Sequence, residues 1–230
     1  MNGILLVDKP AGWTSFDVVN KVRRTVEQGG LNVTGKKRFP VGHTGTLDPL
    51  ATGLLVLLLG NYTKRAPELT KLDKTYEVTM RLGQTSTTGD EEGEKIAASG
   101  QRPGGRDIET VLEQFRGEIM QTPPAYSAVK VNGQRAYKLA RAGKQPELKP
   151  RPVTVHDITF DGYEYPDVQF RAHVSSGTYI RTLVEDIGKA LGTGAYMAAL
   201  RRTKVGRFDI GEALTIEDCI PEAIKRFSQP

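Results

Sequence analysis

The chain has 230 residues, 38% of them hydrophobic and 26% charged, with a net charge of +5. That length can bury a substantial core; the composition is that of a soluble globular protein, and no apolar run reaches the roughly 18 residues of a bilayer-spanning helix. The N-terminus lacks the basic-then-apolar layout of a leader, so a cytoplasmic location is expected. The single Cys219 can form no internal disulfide and lies far in sequence from any His, which leaves thiol catalysis without support.

Residues 3–7 are a short apolar strand running into the turn Lys9-Pro10-Ala11-Gly12. Ser15 has the chemistry of an N-cap, and Phe16, Val19, Val22 and Val26 recur at helical spacing to a Gly29-Gly30 stop, so one face of this first helix belongs to a core. Residues 31–40, carrying Lys36, Lys37 and Arg38, read as an exposed basic loop. It leads into residues 41–59, VGHTGTLDPLATGLLVLLL, where a Gly- and Thr-rich loop sets Asp48 directly before Pro49 and then enters six consecutive apolar residues from Leu54 to Leu59. Pro49 fixes its own φ and the glycines allow tight turning, so a carboxylate sits on a rigid base. An Asp-Pro pair alone is also a common turn starter; the length of the surrounding string separates the two readings.

Residues 63–69 form a short helix bearing Lys64 and Arg65. From Lys74 to Leu82 the pattern alternates strictly, with Tyr76, Val78, Met80 and Leu82 on one face, so Tyr76 points inward along a strand. A polar, mobile loop is expected over residues 84–106, with an acidic run at Asp90, Glu91, Glu92 and Glu94. Asp107 then starts a helix with Ile108, Val111, Leu112 and Phe115 on one face. Next come the Pro-rich residues 121–124, a strand over 127–131, the turn Asn132-Gly133 and a basic helix ended by Gly143. Residues 153–160 and 168–174 read as strands. Thr178 caps a helix whose buried stripe is Ile180, Leu183, Val184, Ile187 and Leu191, closed by Gly192, and residues 196–203 are the last clear strand. With no internal repeat and no linker-like segment, the expectation is one α+β domain over residues 1–230, with a mixed, mostly antiparallel sheet and flanking helices.

Positive charge is segregated. Lys130, Arg135, Lys138, Arg141, Lys144, Lys149 and Arg151 stand against Glu147 alone, and Arg201, Arg202, Lys204 and Arg207 have no acid among them. A surface that tracks phosphates needs such clustering, although a solvated basic face has the same composition.

The string GHTGTLDPLATG resembles the motif of the TruB family of tRNA pseudouridine synthases, in which its Asp is the nucleophile. Three further pieces agree in order and spacing: GILLVDKPAGWTS over residues 3–15, KTY over 74–76, and SSGTYIRTLVEDIG over 175–188 followed by LRRTKVGRF over 200–208. The resemblance runs from residue 3 to about residue 218. It implies the pseudouridine synthase fold with a central catalytic cleft, a monomer with no membrane contact, and a tRNA partner whose T-loop uridine, position 55 in tRNA numbering, is isomerised. Many bacterial members carry a small RNA-binding domain after the catalytic one; here the expectation is the catalytic domain without that C-terminal PUA-type module.

Turning uridine into pseudouridine breaks the C1′–N1 bond, rotates the base and rejoins it through C5, so no atoms are exchanged and no cofactor is called for. No metal is expected either, since His156 and His173 are distant in sequence from His43 and no Cys or His pair has ligand spacing. The cleavage half is glycosidic in kind, and an ionised carboxylate suits it. The resemblance makes Asp48 the nucleophile, whether it attacks the sugar C1′ or the base C6. A sheltered carboxylate needs a cation to keep its pKa down, and the resemblance names Arg181. An arginine at a helix start opposes the helix dipole, which argues for a partner carboxylate. By the same resemblance Tyr76 and Tyr179 sit at the flipped base, Tyr76 stacking on it and assisting proton removal from C5. His43 enters the RNA loop beside the displaced nucleotide, and Lys9, Lys64 and Leu200 contact RNA or line the pocket. The rival readings are a phosphate-cradling GHTGT loop, which lacks P-loop spacing, and a non-catalytic RNA-binding or tRNA-folding module, which would need the basic surface but not the carboxylate.

Overall fold

The computed structural model describes residues 2–30, 32 and 38–218. In chain order its first elements are β1 (Gly3–Lys9), α1 (Ser15–Gln28), β2 (Val41–His43), β3 (Thr52–Leu59), a 3-10 turn at Gly60–Arg65, α2 (Ala66–Leu69), β4 (Lys74–Leu82), β5 (Gln84–Ser86) and β6 (Lys95–Ala97). They are followed by α3 (Gly105–Gln114), β7 (Gly117–Gln121), β8 (Lys130–Val131), β9 (Gln134–Arg135), α4 (Ala136–Arg141), β10 (Arg151–Glu164), β11 (Asp167–Val174), α5 (Ile180–Ala190), β12 (Ala195–Val205) and β13 (Phe208–Asp209). Two compact units emerge: Met1–Tyr76 with Arg201–Pro230, and Glu77–Leu200. The chain passes between them within β4 and again within β12.

In the first unit β3 is the central strand. It pairs antiparallel with β1, from Gly3 opposite Leu59 to Lys9 opposite Gly53, antiparallel with β2, and parallel with β12, where Arg201 and Arg202 meet Thr52 and Gly53. One face, with Leu5, Val7, Leu55, Leu57 and Leu59, is covered by Val18, Val19, Val22 and Val26 of α1 and by Phe39. The other face, with Leu54 and Val56, is covered by Val205, Leu72, Phe208 and Ile210. Burial on both sides is why β3 is a continuous apolar run rather than an alternating one, and each such side chain contributes about 1.5–3 kcal/mol to folding.

The first helix starts one residue earlier than Ser15 suggests. Thr14 is the N-cap: its Oγ1 accepts from the Asp17 N–H at 3.1 Å while the Asp17 carboxylate accepts from the Thr14 N–H at 2.9 Å. Ser15 is thereby free to turn its hydroxyl to another segment. Phe16 is exposed, not core; Val18 takes the inward place. Most of the basic loop over residues 31–40 lies outside the described residues, as does Cys219, and the described Phe39 is fully buried.

In the second unit β10 pairs antiparallel with both β11 and β7. The sheets are thus mixed and mostly antiparallel, in an α+β chain. The polar stretch after β4 is not structureless: β5 and β6 pair as a hairpin, and Asp90 between them is buried. The strand expected over residues 127–131 shrinks to Lys130–Val131, because the Ser127 and Val129 carbonyls accept instead from the first amides of α4, Tyr137 at 3.1 Å and Ala136 at 2.8 Å. Asn132 and Gly133 both have positive φ, as a two-residue hairpin turn requires. Tyr179, not Thr178, is the N-cap of α5; the Thr178 hydroxyl donates to the Ser175 carbonyl. Among the described residues no helix is long and apolar enough to cross a membrane.

Gly53 has φ +100°, and a methyl at its Cα would collide with the backbone of Arg202 on the neighbouring strand. Gly53→Ala is therefore expected to destabilise the protein by on the order of 3 kcal/mol or more, read as a shift of the denaturant midpoint. A loss below about 0.5 kcal/mol, the size of an ordinary surface change, would show that the two strands do not pack this closely.

Candidate active site

Residues 44–51 lead from β2 to β3, and their peptide groups are held largely by side chains from elsewhere in the first unit. Ser15 grips Leu47 at both ends: its hydroxyl accepts from the Leu47 N–H at 2.8 Å and donates to the Leu47 carbonyl at 3.1 Å. On the other side of Asp48, the Pro49 carbonyl accepts from the Gly12 N–H at 2.8 Å and from the Lys9 ammonium at 3.3 Å. The Asp48 carbonyl closes a turn by accepting from the Ala51 N–H at 3.1 Å. The half-buried Asp48 side chain is thus presented between two anchored peptide groups.

A fork reaches the same loop from β12. The Arg202 guanidinium, 2% exposed, donates from Nη2 to the Gly45 carbonyl at 3.0 Å, from Nη1 to that of Thr46 at 3.5 Å and from Nε to that of Leu54 at 2.7 Å. The adjacent carbonyls of Gly45 and Thr46 and the more distant one of Leu54 are thus tied to one planar group, whose donors are fixed relative to one another.

Lys9 is fully buried, and its three protons go to the carbonyls of Pro10, Trp13 and Pro49. All three protons of its ammonium are engaged by main-chain oxygens, so Lys9 holds the loop from beneath, and of the two roles expected for it, RNA contact or pocket lining, this placement suits the second. Burial lowers the pKa of Lys9 to about 8, with the Asp48 charge opposing the shift and that of Arg202 adding to it. Lys74, on β4, is likewise buried; its ammonium donates to the Thr70 and Leu72 carbonyls, and burial together with Arg202 lowers it to about 8 as well. His43 accepts at Nδ1 from the Gly45 N–H at 3.3 Å, and burial and Arg202 push its pKa below the usual value, which favours a neutral imidazole. Tyr76, at 8% exposure, sits on the inward face of β4 as its alternation requires. Lys64 is exposed on the 3-10 turn.

In the second unit Tyr179 is half-buried at the head of α5 and Leu200 half-buried on β12. Arg181 is no surface arginine: it is 7% exposed, with Nη1 donating to the Thr88 carbonyl at 3.1 Å and Nη2 to that of Tyr126 at 2.9 Å. The Asp90 carboxylate lies 3.6 Å from Nη1. Asp90 in turn accepts from the Thr88 hydroxyl and the Glu92 N–H. The sequence reading gives Arg181 the Asp48 carboxylate to serve, and nothing in the sequence singles out Asp90 within its acidic run as a further carboxylate beside it.

Two basic clusters behave differently. Lys130, Arg135, Lys138, Arg141, Lys144 and Lys149 are exposed around α4. Of the other cluster, Arg202 is buried, and Arg201 is committed to a two-pronged bridge with Asp8, Nη2 at 2.7 Å and Nη1 at 3.1 Å.

The chain is similar to known proteins along nearly its whole length. A family model described as TruB family pseudouridylate synthase (N terminal domain) matches residues 32–180, and one described as tRNA pseudouridylate synthase B C-terminal domain matches residues 181–225. The chain is 46% identical to a protein named tRNA pseudouridine synthase B from Pseudomonas fluorescens strain Pf-5, over all of this chain and 74% of that one. It is also 46% identical to one of the same name from Thermobifida fusca strain YX, over 96% of this chain and 75% of that one. Among solved structures it is similar to a chain in a Cbf5-Nop10-Gar1 complex, with TM-score 0.70 and 33% identity over 94% of this chain and 53% of that one. It is similar as well to a chain of an archaeal box H/ACA sRNP Nop10-Cbf5 complex, with TM-score 0.69 and 29% identity over 97% of this chain and 58% of that one. This chain therefore spans just over half of those structural neighbours.

Arg202→Met removes the fork and leaves loop carbonyls short of donors, at a cost of at least about 2 kcal/mol in stability. It also removes a like charge, so the Lys9 and Lys74 pKa values should rise from about 8, as read by NMR of the lysine side chains. An unfolded lysine holds its proton to about 10.4. Between these values the unfolded state binds more protons, so the two lysines add stability as pH rises through that window. The variant should lose part of this alkaline gain; lysines that titrate as in the wild type would contradict the buried cluster.

Proposed function

Because the chain belongs to the TruB family of pseudouridylate synthases, and so is an isomerase of uridine in RNA, we propose that its substrate is tRNA and its target the T-loop uridine at position 55. Asp48 is the nucleophile. It forms a bond to the flipped nucleotide as C1′–N1 breaks; the base turns, C5 bonds to C1′, the C5 proton leaves, N1 takes a proton and Asp48 is released. Tyr76 stacks on the base and assists removal of the C5 proton, Tyr179 contacts the same nucleotide, Arg181 supplies the cation such a carboxylate requires, and His43 occupies the space the nucleotide leaves.

The observation that carries this reading is the loop over residues 44–51, whose carboxylate stands between peptide groups anchored by Ser15, Gly12 and Lys9. A group that must attack in one orientation gains most from such anchoring. Withdrawing a base from its loop costs a few kcal/mol, and stacking on one tyrosine returns ~1–3 kcal/mol, so an inward Tyr76 nearly offsets it. A neutral His43 suits insertion among stacked bases, where a charged imidazolium would first have to shed water.

The exposed cations around α4 are the RNA-tracking surface of this reading, and the substrate needs no more than the T arm. Incubating the protein with total unmodified tRNA should give new pseudouridine at one T-loop position, and an isolated T-arm stem-loop should react nearly as fast as whole tRNA, with KM rising steeply as salt is added. Modification at another site, or inertness of the stem-loop, would contradict the assignment.

A further inference from the structure

Gln121 ends β7, and its side chain is 1% exposed. Its amide bonds both main-chain groups of one residue: Oε1 accepts from the Tyr179 N–H at 2.7 Å and Nε2 donates to the Tyr179 carbonyl at 3.0 Å. Only one orientation of the amide makes both bonds, so oxygen and nitrogen are assigned by their partners. The pairing imitates one rung of a sheet at a place where α5 begins without a side-chain cap. The same carbonyl of Tyr179 also accepts the first helical bond, from the Leu183 N–H at 3.1 Å.

Neighbours of Gln121 hold the residues on either side. Arg151, its register partner on β10, donates to the Gly177 carbonyl at 2.6 Å and lies 5.4 Å from the centre of the Tyr179 ring. The Thr122 carbonyl accepts from the Thr182 hydroxyl at 3.4 Å, and the Tyr126 carbonyl accepts from Arg181 at 2.9 Å. Residues 121–126, with Pro123 and Pro124 restricting the backbone, form a bracket around the first turn of α5.

We propose that Gln121 is a positioning residue for the reaction, acting through the main-chain N–H and carbonyl of Tyr179 to fix the ring that meets the flipped base and the start of the helix that carries Arg181. The inference rests on the reading above in which Tyr179 touches the substrate. Gln121 itself touches no reacting atom. A misplacement of about 1 Å at such a site is enough to cost on the order of a hundredfold in rate.

The amide makes a chemical demand that a purely space-filling residue does not. Gln121→Glu keeps the shape but, as a carboxylate, sets an oxygen against the Tyr179 carbonyl; as a carboxylic acid it donates there and still accepts from the Tyr179 N–H. Burial beside a carbonyl raises the pKa of such an acid. With a T-arm stem-loop as substrate, Gln121→Glu should fall about tenfold or more below wild type in kcat/KM at pH 8 and recover most of that loss at pH 5.5, whereas Gln121→Leu should be low at both. In a Tyr179→Ala background, Gln121→Leu should cost several-fold less than in the wild type, because the ring is gone while the hold of Gln121 on the main chain at the start of α5 remains to be lost. A Gln121→Glu ratio to wild type that does not change with pH, a Gln121→Leu cost that is undiminished without Tyr179, or circular dichroism showing that Gln121→Glu is inactive at pH 8 only because it is unfolded, would each overturn the proposal. If Tyr179→Ala alone turns over as wild type, the assignment of Tyr179 to the substrate fails, and this inference fails with it.

Discussion

Over residues 45–49 every carbonyl but that of Asp48, which closes a turn with the Ala51 N–H, is turned toward a buried side chain. Gly45 and Thr46 receive the Arg202 fork, Leu47 the Ser15 hydroxyl, and Pro49 the Lys9 ammonium along with one main-chain amide. A buried carbonyl without a donor costs about 1–3 kcal/mol, so the loop has few alternative conformations once these donors are in place. The N-terminal turn, the start of α1 and the end of β12 all converge on it. Asp48 inherits its position from the peptide groups beside it.

Burying Lys9, Lys74 and Arg202 within one unit carries a penalty: burial first, and the Arg202 charge in addition, lower both lysines to about 8. Carbonyl dipoles compensate: each cation is surrounded by main-chain oxygens, and the Asp48 charge opposes the loss of the Lys9 proton. Apolar residues of similar size would fill the space with less desolvation but could not satisfy the loop. The cations are best understood as the means of holding an irregular backbone rigid where a strand or helix would not present a carboxylate. Arg181 repeats the device in the second unit, with carbonyls of two separate segments on its two Nη atoms and Asp90 close by.

Elements set by periodicity were legible in the sequence. The alternation of β4 places Tyr76 inward, and the apolar run over residues 54–59 is a strand in the structure, where its burial on both faces is found. The GHTGTLDPLATG string drew attention to Asp48 before any coordinate. What could not be read were the contacts that span long sequence separations: Arg202 and Leu54 are 148 positions apart, and Arg181 and Thr88 are 93 apart. In sequence Arg202 looks like one more surface cation, and the hold of Lys9 on the loop carbonyls has no signal. The cap of α1 was misplaced because Thr14 and Ser15 can both cap; the choice was made by Leu47, 32 positions away, which claims the Ser15 hydroxyl. Phe16 was misassigned by the same helical spacing that correctly found Val19, Val22 and Val26.

The central claim is that Asp48 attacks covalently, and Asp48→Asn tests it most directly, since the change preserves volume while an amide is no nucleophile. Loss of a nucleophile of this kind costs on the order of 10⁴-fold or more in rate, at least ~5 kcal/mol of transition-state stabilisation. On tRNA tritiated at uridine C5, release of tritium should become undetectable, while filter binding of the same RNA stays within a few-fold of wild type. An Asp48→Asn protein that kept even a tenth of the wild-type rate would show that Asp48 is not the nucleophile.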